Sequence, residues 1–203
     1  MSSRTRLALG SVVLVVVASW FVAPRLLGAL APHLYAGTVL QGDEPAAAMT
    51  GLADGAGHEI AVSGGDGDLV LVYFGYTHCP DVCPTTLATV AESRRRLGDD
   101  AGAVDLVMVG VDPGRDTAAE LDEYVAFFDP TFRAVTGPEA AVAEVASAYG
   151  VFYDHGEADA DGDYTVDHTA TLMGIDGDGV LRIVWPPDIS AEALTADLAE
   201  LLG

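Results

Sequence analysis

Apolar and polar positions divide the chain into two regimes. Leu7 to Ala23 ("LALGSVVLVVVASWFVA") runs without a charge, and apolar character resumes after Pro24-Arg25. At roughly 1.5 Å per helical residue the run reaches about 26 Å, near the lower limit for a membrane span. It predicts an uncleaved N-terminal transmembrane helix within residues 1–35, with a cleaved signal peptide as the alternative because Ala29-Leu30-Ala31 resembles a cleavage site. Arg4 and Arg6 before the run, against Arg25 alone after it, place the N-terminus in the cytoplasm by the positive-inside rule. The remainder then faces outward as a single-pass protein of the cell membrane, where disulfides persist.

Residues 36–67 are rich in Gly, Ala and Asp, with short apolar patches at Thr38–Leu40 and Glu59–Val62. They predict a linker followed by an early hairpin or loop. From residue 68 to 203 short unbroken apolar runs alternate with amphipathic stretches. "LVLVYF" (69–74) and "LVMVGV" (106–111) suit strands buried on both faces of a parallel sheet. Between them, Pro84 to Leu97 puts Leu87, Val90, Ala91 and Leu97 on one helical stripe with Glu92 and three arginines opposite. A second helix is expected from Asp116 or Thr117 to Phe128, and a third after Pro138 to about Tyr149. Thr169–Ile175 and Val180–Trp185, joined by Asp-Gly-Asp-Gly, read as an antiparallel hairpin, and Ser190 as the cap of a closing helix to Leu202. A βαβ unit, helices, a β-hairpin and a last helix make an α/β chain of thioredoxin-like plan.

Charge changes the picture of partners. The chain has 9 basic and 31 acidic residues, a formal charge of −22, and no lysine. All three basic residues of the first 35 lie in the anchor region, so the rest is more acidic still. Such a field repels nucleic acid and anionic lipid and favours cationic partners at modest ionic strength. Runs such as "HGEADADGDY" (155–164) look like the solvated acidic surface of a protein from a halophilic organism.

The candidate chemistry lies in "VYFGYTHCPDVCPTTL" (72–87), which holds both cysteines of the chain. Pro80 and Pro84 push the residues before them away from helical angles, so Cys79 and Cys83 are expected in a loop just ahead of the helix. Pro84 suits a first helical turn, and the helix N-terminus favours thiolates, the form that binds metals and attacks disulfides. A purely structural staple across three residues would constrain the unfolded chain little. The spacing is wider than the two residues of common thiol oxidoreductases and leaves room for one ion between the sulfurs. Of the five histidines (33, 58, 78, 155 and 168), His168 stands out. It lies in "YTVDHTATLMGID", just before a predicted central strand. Two thiolates and one imidazole suit Cu(I), and the imidazole also retains Cu(II). Zinc would want a fourth ligand, which His78 or Asp81 could supply. A redox sensor or peroxidase finds less support, because there is no third cysteine.

"FGYTHCPDVCP", "VDPGRDT" and "YTVDHTA" resemble, in order and spacing over roughly residues 69–202, the signatures of the Sco (SenC) family of membrane-anchored copper chaperones. The resemblance implies a thioredoxin-like copper-binding domain, residues 68–203, with Cys79, Cys83 and His168 as copper ligands. Its expected partner is cytochrome c oxidase subunit II, whose dinuclear copper site it helps mature, with other copper carriers or thiol reductants as further partners. The alternative is a thiol-disulfide oxidoreductase that reduces the cysteines of that site, with Cys79 as attacking thiolate and Cys83 resolving. Asp112 to Thr117 is expected to shape the rim, with Asp112 and Asp116 as turn former and helix cap.

Overall fold

The computed structural model describes residues 33–43, 45–62, 68–160 and 162–203. The apolar run of the predicted anchor, residues 7–23, lies outside them, and among the described residues no helix is long and apolar enough to cross a membrane. In chain order the elements are β1 (Thr38–Val39), β2 (Leu69–Gly75), α1 (Val82–Leu97), a 3₁₀ turn (Gly98–Ala103), β3 (Val104–Gly110), α2 (Ala118–Ala126), β4 (Arg133–Val135) and α3 (Glu139–Ala148). Then come β5 (Tyr153–His155), β6 (Val166–His168), β7 (Leu172–Ile175), β8 (Leu181–Trp185) and α4 (Ala191–Leu202).

Six strands form one sheet in the order β1-β8-β7-β2-β3-β4. The unbroken apolar run of β2 is explained by its place: it pairs parallel with β3 and antiparallel with β7, and every residue of it is buried. A parallel pair needs a crossover, and α1 supplies it, packing also against α4. α2 rests on β3 and β4, with Leu121 and Val125 buried. It begins with a reciprocal capping box in which Thr117 and Glu120 satisfy each other's backbone N–H groups. Thr117, not Asp116, is therefore its cap. Ser190 caps α4 by accepting from the Ala193 N–H at 3.2 Å. This is an α/β, thioredoxin-like arrangement, a central βαβ unit completed by the antiparallel β7–β8 hairpin.

Where a linker was expected, β1 extends the sheet by pairing with β8. The reason is non-local. Gly37 lies so close to Trp185 that a Cβ there would come within 2.6 Å of the indole, and the buried Asp197 accepts the Ala36 and Gly37 N–H groups at 3.0 and 3.1 Å. Met49 and Leu52 from the same stretch are core residues. A second departure is the separate two-stranded sheet β5–β6, which pairs Tyr153 with His168 and His155 with Val166. Three-residue strands inside an acidic, glycine-containing stretch leave no legible period.

Candidate metal centre

The site forms at the carboxyl end of β2. Val111 N–H donates to the Gly75 carbonyl at 3.0 Å, closing the strand end, and Tyr76 to Asp81 then lead into α1. Cys79 sits in this connection, as expected. Cys83 does not: it is the second residue of α1, followed by Pro84. The helical angle before a proline is disfavoured, yet in a first turn Pro84 forfeits no intrahelical bond, since that N–H would have had no partner. Thr85 N–H donates to the Asp81 carbonyl at 3.1 Å and starts the ladder.

Cys83 is fully buried and Cys79 half-exposed, and neither is in a disulfide. Close approach of the sulfur to the strand requires Gly75, where a Cβ would lie 3.0 Å from Cys83 Sγ and 2.8 Å from the Tyr73 ring. Cys79 Sγ accepts the Cys83 backbone N–H at 3.3 Å, a bond from the helix N-terminus to the sulfur. The Cys83 side chain, that N–H and His168 together hold the Cys79 thiol down at about 5, so it is a thiolate at neutral pH. The same sharing, with burial, pushes the Cys83 thiol up, and Cys83 keeps the proton.

His168, at the end of β6, brings Nε2 to 3.6 Å from Cys83 Sγ. Its Nδ1 lies 3.3 Å from the Thr169 carbonyl, which orients Nδ1–H outward and leaves the Nε2 lone pair toward the sulfurs. Tyr73 and Tyr76 meet its ring edge-on, with centroids 6.2 and 5.8 Å away. The donor atoms of Cys79, Cys83 and His168 all lie within 4.8 Å of one another, a soft three-donor set able to hold one metal ion. A cleft of about 280 Å³, lined by Tyr76, Cys79, Pro80, Val82 and His168 among others, opens over it.

The other candidates stand apart. His78 Nδ1 faces Asp116 at 3.5 Å and the Thr77 hydroxyl at 2.9 Å. Asp81 is exposed and within 3.5 Å of the Thr85 hydroxyl. His58 pairs with Asp54, and His155 approaches Asp112 at 3.7 Å. The rim acids do more than turn the chain. Buried Asp116 accepts the Thr77 N–H at 2.8 Å and so pins the start of the cysteine connection. Buried Asp112 accepts from Arg115 Nε at 2.6 Å and from the Tyr164 hydroxyl at 2.8 Å. Arg115 also stacks over the Tyr164 ring at 3.5 Å. Tyr76 completes the attachment of the hairpin by accepting the Val166 N–H at 3.2 Å.

Tyr73 and Tyr76 were not singled out by the sequence, and Asp116 was read there as a helix cap rather than as the anchor of Thr77. Tyr73 carried a signal nonetheless: a hydroxyl in a strand buried on both faces needs a partner nearby. Here the partner is Cys83 Sγ, 3.5 Å away.

The SCO1/SenC family model matches residues 43–203. The mitochondrial SCO2 homolog of Bos taurus is 38% identical over 131 residues, which is 64% of this chain and 49% of that protein. The chain spans about half the length of the curated relatives it matches. Among solved structures, the apo Sco1 protein from Thermus thermophilus is 35% identical with a TM-score of 0.74, covering 84% of this chain and 99% of that one. Bradyrhizobium japonicum ScoI with copper bound is 38% identical with a TM-score of 0.66, covering 74% and 95%.

Proposed function

The chain belongs to the SCO1/SenC family, and on that premise we propose that it is a copper metallochaperone that delivers copper to, and helps assemble, the dinuclear copper site of cytochrome c oxidase subunit II. The observation that carries this reading is the convergence of two cysteine sulfurs and one imidazole nitrogen within 4.8 Å. Copper is the cargo, with Cys79, Cys83 and His168 as its ligands. Few soft donors suit Cu(I), while the imidazole also retains Cu(II). Zinc would call for a fourth ligand, and His78 is turned to Asp116 instead. A relative of the same family has been solved with copper bound, which supports the assignment. Half-exposed Cys79 beneath the open cleft offers an incoming thiolate a route for ligand exchange. An anchor within residues 1–35 would hold the domain on the extracytoplasmic face.

The test is a Cu(I) titration of the reduced full chain against a competing chelator, wild type beside His168→Ala. One-to-one binding weakened at least about tenfold by the substitution, or about 1.4 kcal/mol, is the expected result. Weak binding, or binding indifferent to His168, sinks the chaperone reading.

A second reading has its own observation, the Cys79 thiolate beside a protonated Cys83. As a thiol-disulfide oxidoreductase, Cys79 would attack a target disulfide, forming a mixed disulfide and releasing one target thiolate. Cys83, giving up its proton, would then attack Cys79 Sγ and release the second, leaving the chain as the disulfide. That reaction needs no imidazole. A His168→Ala chain that exchanges disulfides normally and still rescues oxidase assembly would decide for it.

A further inference from the structure

Tyr73 is a buried side chain whose contacts join two of the three donors, Cys83 and His168. Its hydroxyl donates to Cys83 Sγ at 3.5 Å, and its ring meets the His168 ring at 78°. The residue is fully buried in the middle of the sheet, between Val72 and Phe74 in a run that is otherwise apolar. A phenylalanine would fill that volume with no hydroxyl to satisfy; the phenol here aims its O–H at a cysteine sulfur. Cys79 Sγ has a different donor, the backbone N–H of Cys83. Each sulfur of the pair thus receives its own hydrogen bond, one from the helix end and one from the strand.

We propose that Tyr73 is a positioning residue for Cys83, its O–H holding a lone pair of the buried sulfur and so favouring the dithiol over the disulfide and bound Cu(I) over Cu(II). Hydrogen bonding around a copper-bound cysteine sulfur tunes the potential of the ion, because a donor draws charge from the sulfur and the more covalent Cu(II)–thiolate bond suffers most. In the thiol couple the Sγ–Sγ bond breaks as two electrons enter from a dithiol reductant, which becomes a disulfide; one of its protons goes to Cys83 and the other to solvent, Cys79 staying a thiolate. The sulfur released at Cys83 finds the Tyr73 O–H already aimed at it. The copper half of the inference rests on the copper reading above, whereas the thiol half stands on the cysteine pair alone.

The experiment compares the full chain with its Tyr73→Phe variant, first without metal in a dithiothreitol redox buffer and then loaded with copper. The dithiol/disulfide equilibrium is expected to move about tenfold toward the disulfide, about 30 mV for a two-electron couple. With Cu(II) bound, the sulfur-to-copper charge-transfer band is expected at lower energy. Fluorotyrosine at position 73, a more acidic phenol of nearly the same size, moves both readouts the other way. A thiol couple unmoved in both substituted chains overturns the inference whatever copper does. A shifted couple in a chain whose wild type binds no copper retains the thiol half and counts against the copper reading alone.

Discussion

The β2–α1 arm, which carries the two cysteines, and the β5–β6 hairpin, which carries the histidine, meet at the site but are held in different ways. The arm belongs to the six-stranded sheet: β2 is flanked by two strands and wholly buried, and Cys83 has no exposed surface. The hairpin is two strands of three residues, with Asp154, His155 and Asp167 exposed. Such a unit is marginal by itself. Its hold on the rest of the domain can be named: the Val166 side chain in the core, Tyr76 to Val166, Tyr164 to Asp112, and the ring contacts on His168. The sulfurs are therefore positioned by the core, and the imidazole by one buried valine, two ring contacts and a few hydrogen bonds. Loss of the third donor requires far less disruption than loss of the first two.

Four experiments would break or sharpen that contrast. The largest effect is expected in reactivity within the arm. At pH 7, Cys79 should alkylate at least about a hundredfold faster than Cys83, because the thiolate is the nucleophile. Its rate should rise with pH through about 5, where an ordinary thiol responds near 8.5. Mass-mapped iodoacetamide labelling of the reduced, metal-free chain reads both sites, and equal rates would remove the distinction between them. Next, Leu87→Ala, emptying a fully buried position of α1, should cost about 2–5 kcal/mol in denaturant unfolding and release both sulfurs with the whole domain.

Smaller and local, Asp112→Asn should cost about 2 kcal/mol as it weakens the bonds from Arg115 and Tyr164. Hydrogen exchange should show the hairpin amides opening ahead of those in β2. Uniform exchange across both regions would mean that the hairpin is no separate unit. Smallest, at about 1 kcal/mol, is Tyr76→Phe, which deprives the Val166 N–H of its acceptor. It should speed exchange at Val166, and an unchanged rate there would remove Tyr76 from the hold on the hairpin.

The same contrast decides how much could be read in advance. Elements whose apolar positions face one large core announce themselves by period, and β2, β3, α1, α2, α3, the β7–β8 hairpin and α4 all lie where the pattern puts them, within two or three residues at most ends. Cys83 was expected in the loop because proline biases the residue before it, a local rule that the helix start overrides. β4 and the β5–β6 hairpin have three-residue strands, and β1 has two, too short to show a period. Asp116 looked like a helix cap, since a capping residue and a carboxylate pinning another loop have the same local sequence.

By itself the amino-acid sequence determined the α/β plan, the acidic character, the cysteine pair at the entrance to a helix, and the candidacy of His168, because these depend on residue type, spacing and period. Only the tertiary structure decided that the imidazole lies 3.6 Å from Cys83 Sγ, that one sulfur is a thiolate and its neighbour a buried thiol, and that a phenol of β2 donates to the latter. Those facts depend on which distant groups share a few ångströms: Tyr73 and His168 reach Cys83 from other elements, brought there by strand pairing and burial rather than by any local preference.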